Sequence, residues 1–549
     1  MLSNCAIHSQ NVYEPLNSTV YNFLERLSVK DLIQVHSEIK PYSRMKIAEY
    51  LSALETQKNV LSKLELQDLE FYRNDYSDEI NFLKGVVDTN KVKMEFMAFG
   101  ENNRFRDFYY KDTLITVNAD IILGYSTGKI KDSRTSHFWN GAILYGYISD
   151  FIGYSLNFKD NQENGKYLDQ QLSFSPLSGI DHTSSINSGH DSFQHDEVNA
   201  TLTVNWKWGS FSFGKDFINW GSSLTPAGQI IISSKAPSFP FIQLEMHPAK
   251  WLRFSYIHGW LHSGILDSNT YHYSPVPGRE NYLQINKFIA AHLLSVDVKK
   301  NITISIGESI IYSERIEPVY LIPIMFFRVA DHYLSKDTSN TGSNAQVFID
   351  ASYKIPDIRC KFYMTIFIDE LSLTSVLENK AGPSAVGYSF GGEVIDPIFE
   401  NSALIFEYTK IPPFVYMNSN TAQTYASYGY QLGSWIGNNG DIKYIKYTQN
   451  IIRGLSLNVW ANFIRKGSAP TPQQQYKAPY PSTLFGLRKN QTEIGIEASY
   501  EIINNCWIKF NYAHSEISDQ DIARTPYYLL GQNNSLNFSV SYGFNTASR

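Results

Sequence analysis

From about Val92 to the end of the chain, apolar and polar residues alternate with a period of two. This period places apolar side chains on one face of a β-strand and polar side chains on the other. The alternation is clearest in four segments, 115–121, 200–208, 301–306 and 536–544. We therefore predict that most of the chain forms strands with one apolar face and one polar face.

Two architectures contain such strands. In a soluble sandwich the apolar face lies in the core, whereas in a membrane barrel it faces lipid and the polar face lines a wet lumen. The polar positions are mostly Asn, Ser, Thr and Gly, whereas a soluble surface usually carries more Lys and Glu. Residues 92–549 contain no second helical block and no linker. This pattern favours one closed transmembrane antiparallel β-barrel.

Before the strands, residues 18–76 repeat apolar positions at helical spacing. Ser43 is a candidate N-cap, and Pro41 separates a first helix from a second. The Glu-, Lys- and Gln-rich stretch 54–76 predicts a solvated linker helix. We expect a small helical head over 11–90, as an accessory domain, and the barrel over 91–549.

Residues 1–10, MLSNCAIHSQ, lack the basic and apolar regions of a complete signal peptide. We interpret them as a possible remnant of one and expect a longer precursor. No run of 18 apolar residues occurs, since Pro323 interrupts the best candidate, so the sequence excludes a helical membrane span.

Composition narrows the function further. The chain has 549 residues, 9 Trp, 37 Tyr and 33 Phe, a net charge of −6 and three cysteines without metal-ligand spacing. We predict no cofactor, no metal and no nucleic-acid partner. We expect tryptophans at strand ends to form interfacial girdles, namely Trp139, Trp206, Trp208, Trp251, Trp260, Trp460 and Trp507.

Three polar stretches, 161–197, 331–344 and 466–489, are predicted to be long loops, which lie outside the cell in such barrels. The first carries His182, His190 and His195, whose spacing matches no ligand motif, so we interpret it as a solvated loop.

Asp369, Glu370 and Glu407 are candidates for acid/base chemistry. Ion pairs inside a polar lumen are the interpretation we favour for them.

The segment 217–244 has few charges and is punctuated by Pro226, Gly228, Pro237 and Pro240. We predict a short strand at 230–233. Exposed aromatic and hydroxyl groups here would stack on sugar faces and bind hydroxyls. A plug or rim in the lumen is an equal alternative.

This segment resembles the Trp-Gly…Gly…Ser…Ala-Pro…Pro hallmark of the capsule assembly Wzi family of outer-membrane proteins. Ser222 stands where that family usually has Pro. The residues that hold the places of the hallmark are Trp220, Gly221, Gly228, Ile230, Ser233, Ala236, Pro237 and Pro240. Further matches, in the order of the Bacteroidetes-type versions, are Lys287, His292, Gly307-Glu308, Tyr312, 320–323, Asp369-Glu370, 407–409, Gly433 and Ile436-Gly437.

The resemblance extends to the head, which it implies is periplasmic, and it implies a barrel of about eighteen strands in the outer membrane. It also implies a non-enzymatic, lectin-like surface protein that binds capsular or exopolysaccharide. We expect this protein to be a monomer. The candidate site residues are Trp220, Gly221, Gly228, Ser233, Lys235, Pro237, Pro240, Glu308 and Glu407. A porin or export channel, and an enzyme acting on polysaccharide or lipid, remain as alternatives.

Overall fold

A computed structural model describes residues 11–86, 92–100, 104–168, 192–271, 282–335, 342–369, 385–475 and 477–544. The N-terminal helices and the short strand between them are α1 Val20–Val29, β1 Ile39–Lys40, α2 Arg44–Leu54, α3 Lys63–Asp75 and α4 Ser77–Leu83. A hairpin follows, with strands β2 Lys93–Phe99 and β3 Phe105–Lys111.

The remaining strands begin with β4 Ile115–Ile130, β5 Ser133–Ile148, β6 Ile152–Asn164, β7 Ser192–Trp206, β8 Gly209–Asp216, β9 Asn219–Trp220, β10 Phe239–Ala249, β11 Leu252–Leu266, β12 Gln284–Lys299 and β13 Ile302–Ser313. Helix α5 is Phe327–Ser335. The chain continues with β14 Asn344–Ile355, β15 Cys360–Asp369, β16 Val386–Ile395, β17 Ser402–Ile411, β18 Ala426–Ser427, β19 Tyr430–Gln431, β20 Gly440–Ile452, β21 Leu455–Lys466, β22 Lys489–Ile503, β23 Cys506–Asp519 and β24 Gly531–Tyr542.

A closed antiparallel barrel is formed by eighteen of these strands, namely β4–β8, β10–β17 and β20–β24. Each pairs with its neighbours along the chain, and β24 closes the ring on β4, where Ser535 pairs with Ile130 and Tyr542 with Leu123. Strand β3 pairs with the first part of β4 at 116–119. The predicted all-β barrel with a helical N-terminal segment is confirmed.

The barrel is apolar outside and polar inside. On β7, Leu202 is 48% exposed while its neighbour Thr203 is 1% exposed. On β24, Phe538 is 46% exposed while Ser541 is 3% exposed. A soluble protein would bury the apolar face, so this reversed burial identifies the outer wall as the lipid-facing surface.

The two ends of the barrel differ. One end, called the short-turn end, carries connections such as 207–208, 250–251, 300–301 and 453–454. The opposite end, called the long-loop end, carries 217–238, 314–343, 412–439 and 467–488. Among the described residues, no helix is long and apolar enough to cross a bilayer.

The helical head packs against the short-turn end. The Arg26 guanidinium contacts the Asp396 carboxylate at 2.5 Å, and the Lys300 ammonium contacts Asp31 at 2.6 Å. The predicted N-cap is confirmed, because the Ser43 hydroxyl accepts a hydrogen bond from the backbone N–H of Lys46. The predicted solvated linker helix is wrong: a 3-10 turn at Glu55–Val60 interrupts it, and Leu69 is buried in the core of the head.

The girdle prediction is wrong for three of the seven tryptophans. Trp139, Trp460 and Trp507 point into the lumen and are nearly fully buried, whereas Trp208 and Trp251 are exposed in short turns. Trp139 lies over Gly124, and Trp460 lies over Gly495 on a neighbouring strand. Because glycine has no side chain, each leaves room for an indole ring inside the wall.

The lumen is also more highly charged than the sequence pattern suggests. Inward positions carry Arg253, Asp350, Lys361 and Glu407, all of them buried. Buried charges require partners, and these contact the head or the loops that enter the lumen.

Two of the three predicted loops are shorter than expected. Strand β6 continues to Asn164 and β7 begins at Ser192, so only part of 161–197 connects them. Residues 331–335 belong to α5, whereas 467–488 is a loop as predicted. His195 lies on β7 with its ring stacked on Phe193, while His182 and His190 lie outside the described residues. Within the described ranges, no group of three potential ligands could hold a metal ion.

Candidate functional site

The segment with the hallmark residues folds into the barrel. It connects β8 to β10 at 217–238, and we call it the first inner loop. Trp220, Gly221, Gly228 and Ser233 are all buried. The prediction of an exposed aromatic surface is therefore wrong for this segment. Its position matches the alternative prediction, a plug in the lumen. The predicted short strand at 230–233 is reduced to a single bridge between Ile232 and Trp220.

Glu407 on β17 holds the first inner loop from the far side of the lumen. Its carboxylate accepts hydrogen bonds from the Ser223 hydroxyl at 2.7 Å and from the backbone N–H groups of Leu224 and Thr225 at 3.0 and 3.2 Å. The hydroxyls of Thr225 and Tyr363 donate to the same carboxylate. Such charge-assisted hydrogen bonds are stronger than neutral ones, so Glu407 fixes the turn of the loop.

A second inward carboxylate holds the preceding residue. Asp350 on β14 accepts from the backbone N–H of Ser222 at 3.0 Å and from its hydroxyl at 2.5 Å. The Thr365 hydroxyl donates to the same carboxylate at 2.7 Å. Ser222 therefore supplies two donors where the hallmark has Pro, which would supply neither.

The connection between β17 and β20, residues 412–439, forms a second inner loop that interlocks with the first. The Tyr416 hydroxyl donates to the backbone carbonyl of Ile230 at 2.6 Å. The backbone N–H of Ser233 donates to the backbone carbonyl of Leu432 at 2.7 Å. A Cβ atom at Gly433 would lie 2.5 Å from the Ile230 carbonyl oxygen. Glycine at this position permits the close approach of the two loops.

Apolar side chains from both loops form one core inside the barrel. Trp220, Ile231 and Leu432 are fully buried there with Phe348 and Phe367 of the wall. The Trp220 and Phe348 rings meet edge to face at a centroid distance of 6.3 Å. A packed apolar core of this kind excludes water, so the lumen is filled at this level.

The head reaches the same core from the short-turn end. Strand β1 pairs with β9, where Ile39 lies opposite Trp220, and the backbone N–H of Gly221 donates to the Glu38 carbonyl at 2.8 Å. The Glu38 carboxylate contacts Arg253 at 2.6 Å. Burial would raise the pKa of Glu38, but the charges of Arg253 and His36 and the hydrogen bonds to the carboxylate together outweigh it and hold the pKa below its usual range.

The other predicted site residues lie apart from this cluster or at its edge. Lys235 and Pro237 are buried in the last part of the first inner loop, and Pro240 is exposed on β10. Glu308 points outward from β13, and its carboxylate accepts the backbone N–H groups of Phe327 and Arg328. The structure thus brings Trp220, Gly221, Gly228, Ser233 and Glu407 together, but not Pro240 or Glu308. A role for any of them in binding sugar stays a prediction.

Asp369 and Glu407, two of the three candidates for acid/base chemistry, hold different loop segments. Asp369 accepts the backbone N–H of Tyr416 at 2.6 Å, whereas Glu407 holds the first inner loop. Both are buried and engaged in hydrogen bonds. Glu370 lies outside the described residues.

Three aromatic pairs lie at the long-loop end, and the strand pattern gave no signal for them. Tyr167 stacks on Tyr528 with a centroid distance of 5.1 Å and an interplanar angle of 21°. His262 stacks on Tyr428 at 4.0 Å and 9°. The third pair, Tyr271 and Tyr282, is tilted, with centroids 5.3 Å apart. The partners of the first two pairs are distant in sequence, so only the closed barrel brings them together, whereas Tyr271 and Tyr282 both belong to the connection between β11 and β12.

The fold is similar to that of a known outer-membrane protein of Escherichia coli, Wzi, described as involved in group 1 capsule assembly and as a carbohydrate-binding β-barrel. The match covers 98% of this chain and all of Wzi, with a TM-score of 0.56 and 11% identity. Two further barrels match less closely. OprD of Pseudomonas aeruginosa has a TM-score of 0.41 at 11% identity, covering 78% of this chain and 93% of OprD. OccAB2 of Acinetobacter baumannii has a TM-score of 0.41 at 12% identity, covering 78% and 98%.

No protein-family model matches the sequence, and no curated protein sequence matches it. The likeness to Wzi therefore establishes the fold, an eighteen-stranded barrel with a helical N-terminal segment.

Proposed function

We propose that this protein is a non-enzymatic, lectin-like barrel that binds capsular or exopolysaccharide at the cell surface and helps to assemble or anchor it. The observation that carries the proposal is the combination of a filled lumen with stacked aromatic rings at one end. A filled lumen leaves the loops of the long-loop end as the surface available to a polymer. Aromatic rings there present the flat apolar faces on which sugar rings stack.

Polymer binding does not require a tight single site. A polysaccharide repeats its unit many times, so weak contacts at several loops add through effective concentration. The three aromatic pairs, at 167 and 528, 262 and 428, and 271 and 282, supply several such contacts. The carbohydrate binding stated for Wzi is consistent with this assignment.

The difference between the barrel ends supports one orientation of the barrel in the membrane. Bacterial outer-membrane barrels have short turns in the periplasm and longer loops outside the cell. We therefore place the head, residues 11–90, in the periplasm and the loops of the barrel, residues 91–549, at the cell surface. We further propose a monomer, because the barrel closes on itself and needs no second chain to complete its sheet.

The alternative is a porin or an export channel. Its lumen would have to open, which requires both inner loops to leave the barrel. The Glu407 and Asp350 hydrogen bonds and the apolar core around Trp220 oppose this movement. The filled lumen thus favours binding over conduction.

Purified protein in detergent should retain capsule extracted from its own cells, but not capsule from an unrelated strain. The same preparation should show no steady conductance in planar bilayers. A matched pair of variants tests the site: Tyr528→Ala should reduce retention, whereas Tyr447→Ala, on the wall, should not.

Steady conductance without polymer retention would reject the proposal and support the channel. Release of shortened sugars during incubation, abolished by Asp369→Asn, would instead support an enzyme. Retention that is unchanged in all three loop variants, Tyr528→Ala, Tyr428→Ala and Tyr271→Ala, would reject the aromatic site.

A further inference from the structure

The connection between β13 and β14 folds over the outside of the barrel. Residues 314–334, which we call the outer flap, cover the outward faces of β11, β12 and β13 near the long-loop end. Tyr256, Phe288 and Ile310 point outward by the alternation of their strands, yet they are buried, because Tyr320 and Phe327 of the flap pack on them. The flap therefore replaces the strands as the outer surface of this part of the wall.

The wall under the flap carries polar groups that would be costly against lipid. The His258 ring contacts the Tyr312 hydroxyl at 2.6 Å, and the Glu308 carboxylate lies next to His292 at 3.9 Å. A buried carboxylate in hydrocarbon requires hydrogen-bond donors. The flap provides them.

Hydrogen bonds hold the flap in place. Glu308 accepts the backbone N–H groups of Phe327 and Arg328, both in the first turn of α5, at 2.9 and 2.8 Å. The Tyr256 hydroxyl donates to the carbonyl of Tyr320 at 2.8 Å. The inner side of the flap is thus polar at its anchor points and packed between them.

The exposed side of the flap is largely apolar between Leu321 and Tyr333, where His332 is also exposed, and the charged residues Glu314 and Arg315 are exposed at its start. Ile324 is 73% exposed, Phe326 71%, Val329 69% and Tyr333 80%. These values exceed those of the bare wall just below the flap, where Leu294 is 42% exposed. Such a continuous apolar surface is unfavourable in water.

We infer that the outer flap lies in the membrane and that its exposed face contacts lipid acyl chains in the leaflet at the long-loop end. Two observations select lipid over a protein partner. The apolar face continues the lipid-facing band formed by Leu294 and Ile306 on the same strands. The flap also covers the polar wall groups that lipid would otherwise meet. It acts as an apolar cover for a polar section of the wall.

Photolabelling tests this inference on the unmodified protein. The protein is reconstituted in vesicles of phosphatidylcholine that carries a diazirine at the end of one acyl chain, irradiated and mapped by peptide mass spectrometry. Adducts are expected on the flap, at 322–333, and on the wall peptide that contains Ile306. Val60 of the head, which is 62% exposed, is the internal control and should stay unlabelled.

A pair of variants sharpens the test. Phe326→Asn with Val329→Asn should lower the adduct yield on the flap peptide at least tenfold, while the yield on the wall peptide stays the same. Phe326→Leu should keep the labelling. Retained heat-modifiable migration on gels verifies that each barrel is folded.

Labelled wall peptides with an unlabelled flap would overturn the inference. Flap peptides found cross-linked to a second protein chain instead of lipid would also overturn it, and would identify the flap as a protein interface.

Discussion

The Glu407 carboxylate accepts a hydrogen bond from the Ser223 hydroxyl at 2.7 Å, across the lumen and over a separation of 184 residues. Glu407 belongs to the wall, and Ser223 belongs to the first inner loop. The contact therefore links the position of the first inner loop to a buried carboxylate of the wall. Substitutions of Glu407 should therefore affect both the stability of the protein and the closure of its lumen.

Glu407→Ala should loosen the first inner loop. Removing the carboxylate leaves several buried donors without an acceptor, which should lower the free energy of unfolding by about 3 kcal/mol. We expect the variant to show conductance events in planar bilayers that the wild type lacks. Glu407→Gln, which keeps one acceptor oxygen, should have a smaller effect. Glu400→Ala, in an exposed turn, is the matched control, and an equal change in both alanine variants would contradict the role of Glu407.

Gly228→Ala should disturb the same site by crowding. A Cβ atom there would lie 2.3 Å from the Ser223 hydroxyl oxygen and 3.1 Å from the Glu407 carboxyl carbon. The loop must shift, and we expect a loss of about 2 kcal/mol, typical of an overpacked core. Thermal unfolding in detergent measures it. Gly387→Ala, where the nearest atom is a flexible Ile411 methyl at 3.3 Å, should change the unfolding temperature much less.

Asp396 should make docking of the head sensitive to acid. Burial alone would raise its pKa, but the hydrogen bond and charge of Arg26, with the charges of Lys30 and Arg359, hold the pKa below its usual range. An aspartate whose pKa is lower in the folded than in the unfolded protein stabilises the folded state at pH values above its unfolded pKa of about 3.9. This stabilisation is lost as the pH falls through the pKa of the folded state.

Asp396→Asn should therefore weaken docking by about 2 kcal/mol at pH 7, and the difference from wild type should shrink below pH 4. Hydrogen exchange of α1 amides measures docking. A difference that is constant from pH 7 to pH 3 would show that charge is not the cause.

Asp68 should have the opposite dependence. Burial raises the pKa of Asp68 to about 7, although the charge of Arg453 opposes the shift. A carboxyl group whose pKa is higher in the folded than in the unfolded protein stabilises the folded state at pH values below its unfolded pKa. This stabilisation is lost as the pH rises through the folded-state pKa of about 7.

Asp68→Asn should be more stable than wild type by about 2 kcal/mol at pH 8, after allowance for partial solvent screening. The gain should grow from about pH 4 to pH 7 and then level off. Urea unfolding of the head, followed by hydrogen exchange at each pH, measures it. Glu70→Gln, on the exposed side of the same helix, should show no such trend.

Tyr528→Ala should weaken polysaccharide binding without opening the lumen to ions. It removes one ring of the stack with Tyr167, and a stacked aromatic contributes about 1 kcal/mol at each contact. Repeated over a polymer, this loss should reduce retention severalfold. Tyr528→Phe, which keeps the ring and loses the hydroxyl, should retain most binding. Equal loss in both variants would indicate hydrogen bonding by the hydroxyl rather than stacking.

The strands and their two faces could be predicted from the sequence alone. A period of two is a local property, and the reversed burial of Leu202 and Thr203 follows directly from it. The sequence also located the helical head and its N-cap at Ser43. The absence of linkers after Val92 was sufficient to favour one closed barrel over several sandwiches.

The positions of the irregular segments depend on tertiary contacts and could not be predicted from the sequence. Residues 217–238 have no period, so the sequence could not distinguish a rim from a plug, and the acceptors that draw the loop inward, Asp350 and Glu407, lie on distant strands. Trp139 faces inward by the alternation of its strand, but only the pairing with Gly124 of the preceding strand provides room for its ring. The flap residue Phe326 and the inner-loop residue Trp220 are both aromatic residues in irregular segments, yet one faces outward and the other is buried. Their environments depend on contacts between residues far apart in the chain, which a local pattern does not contain.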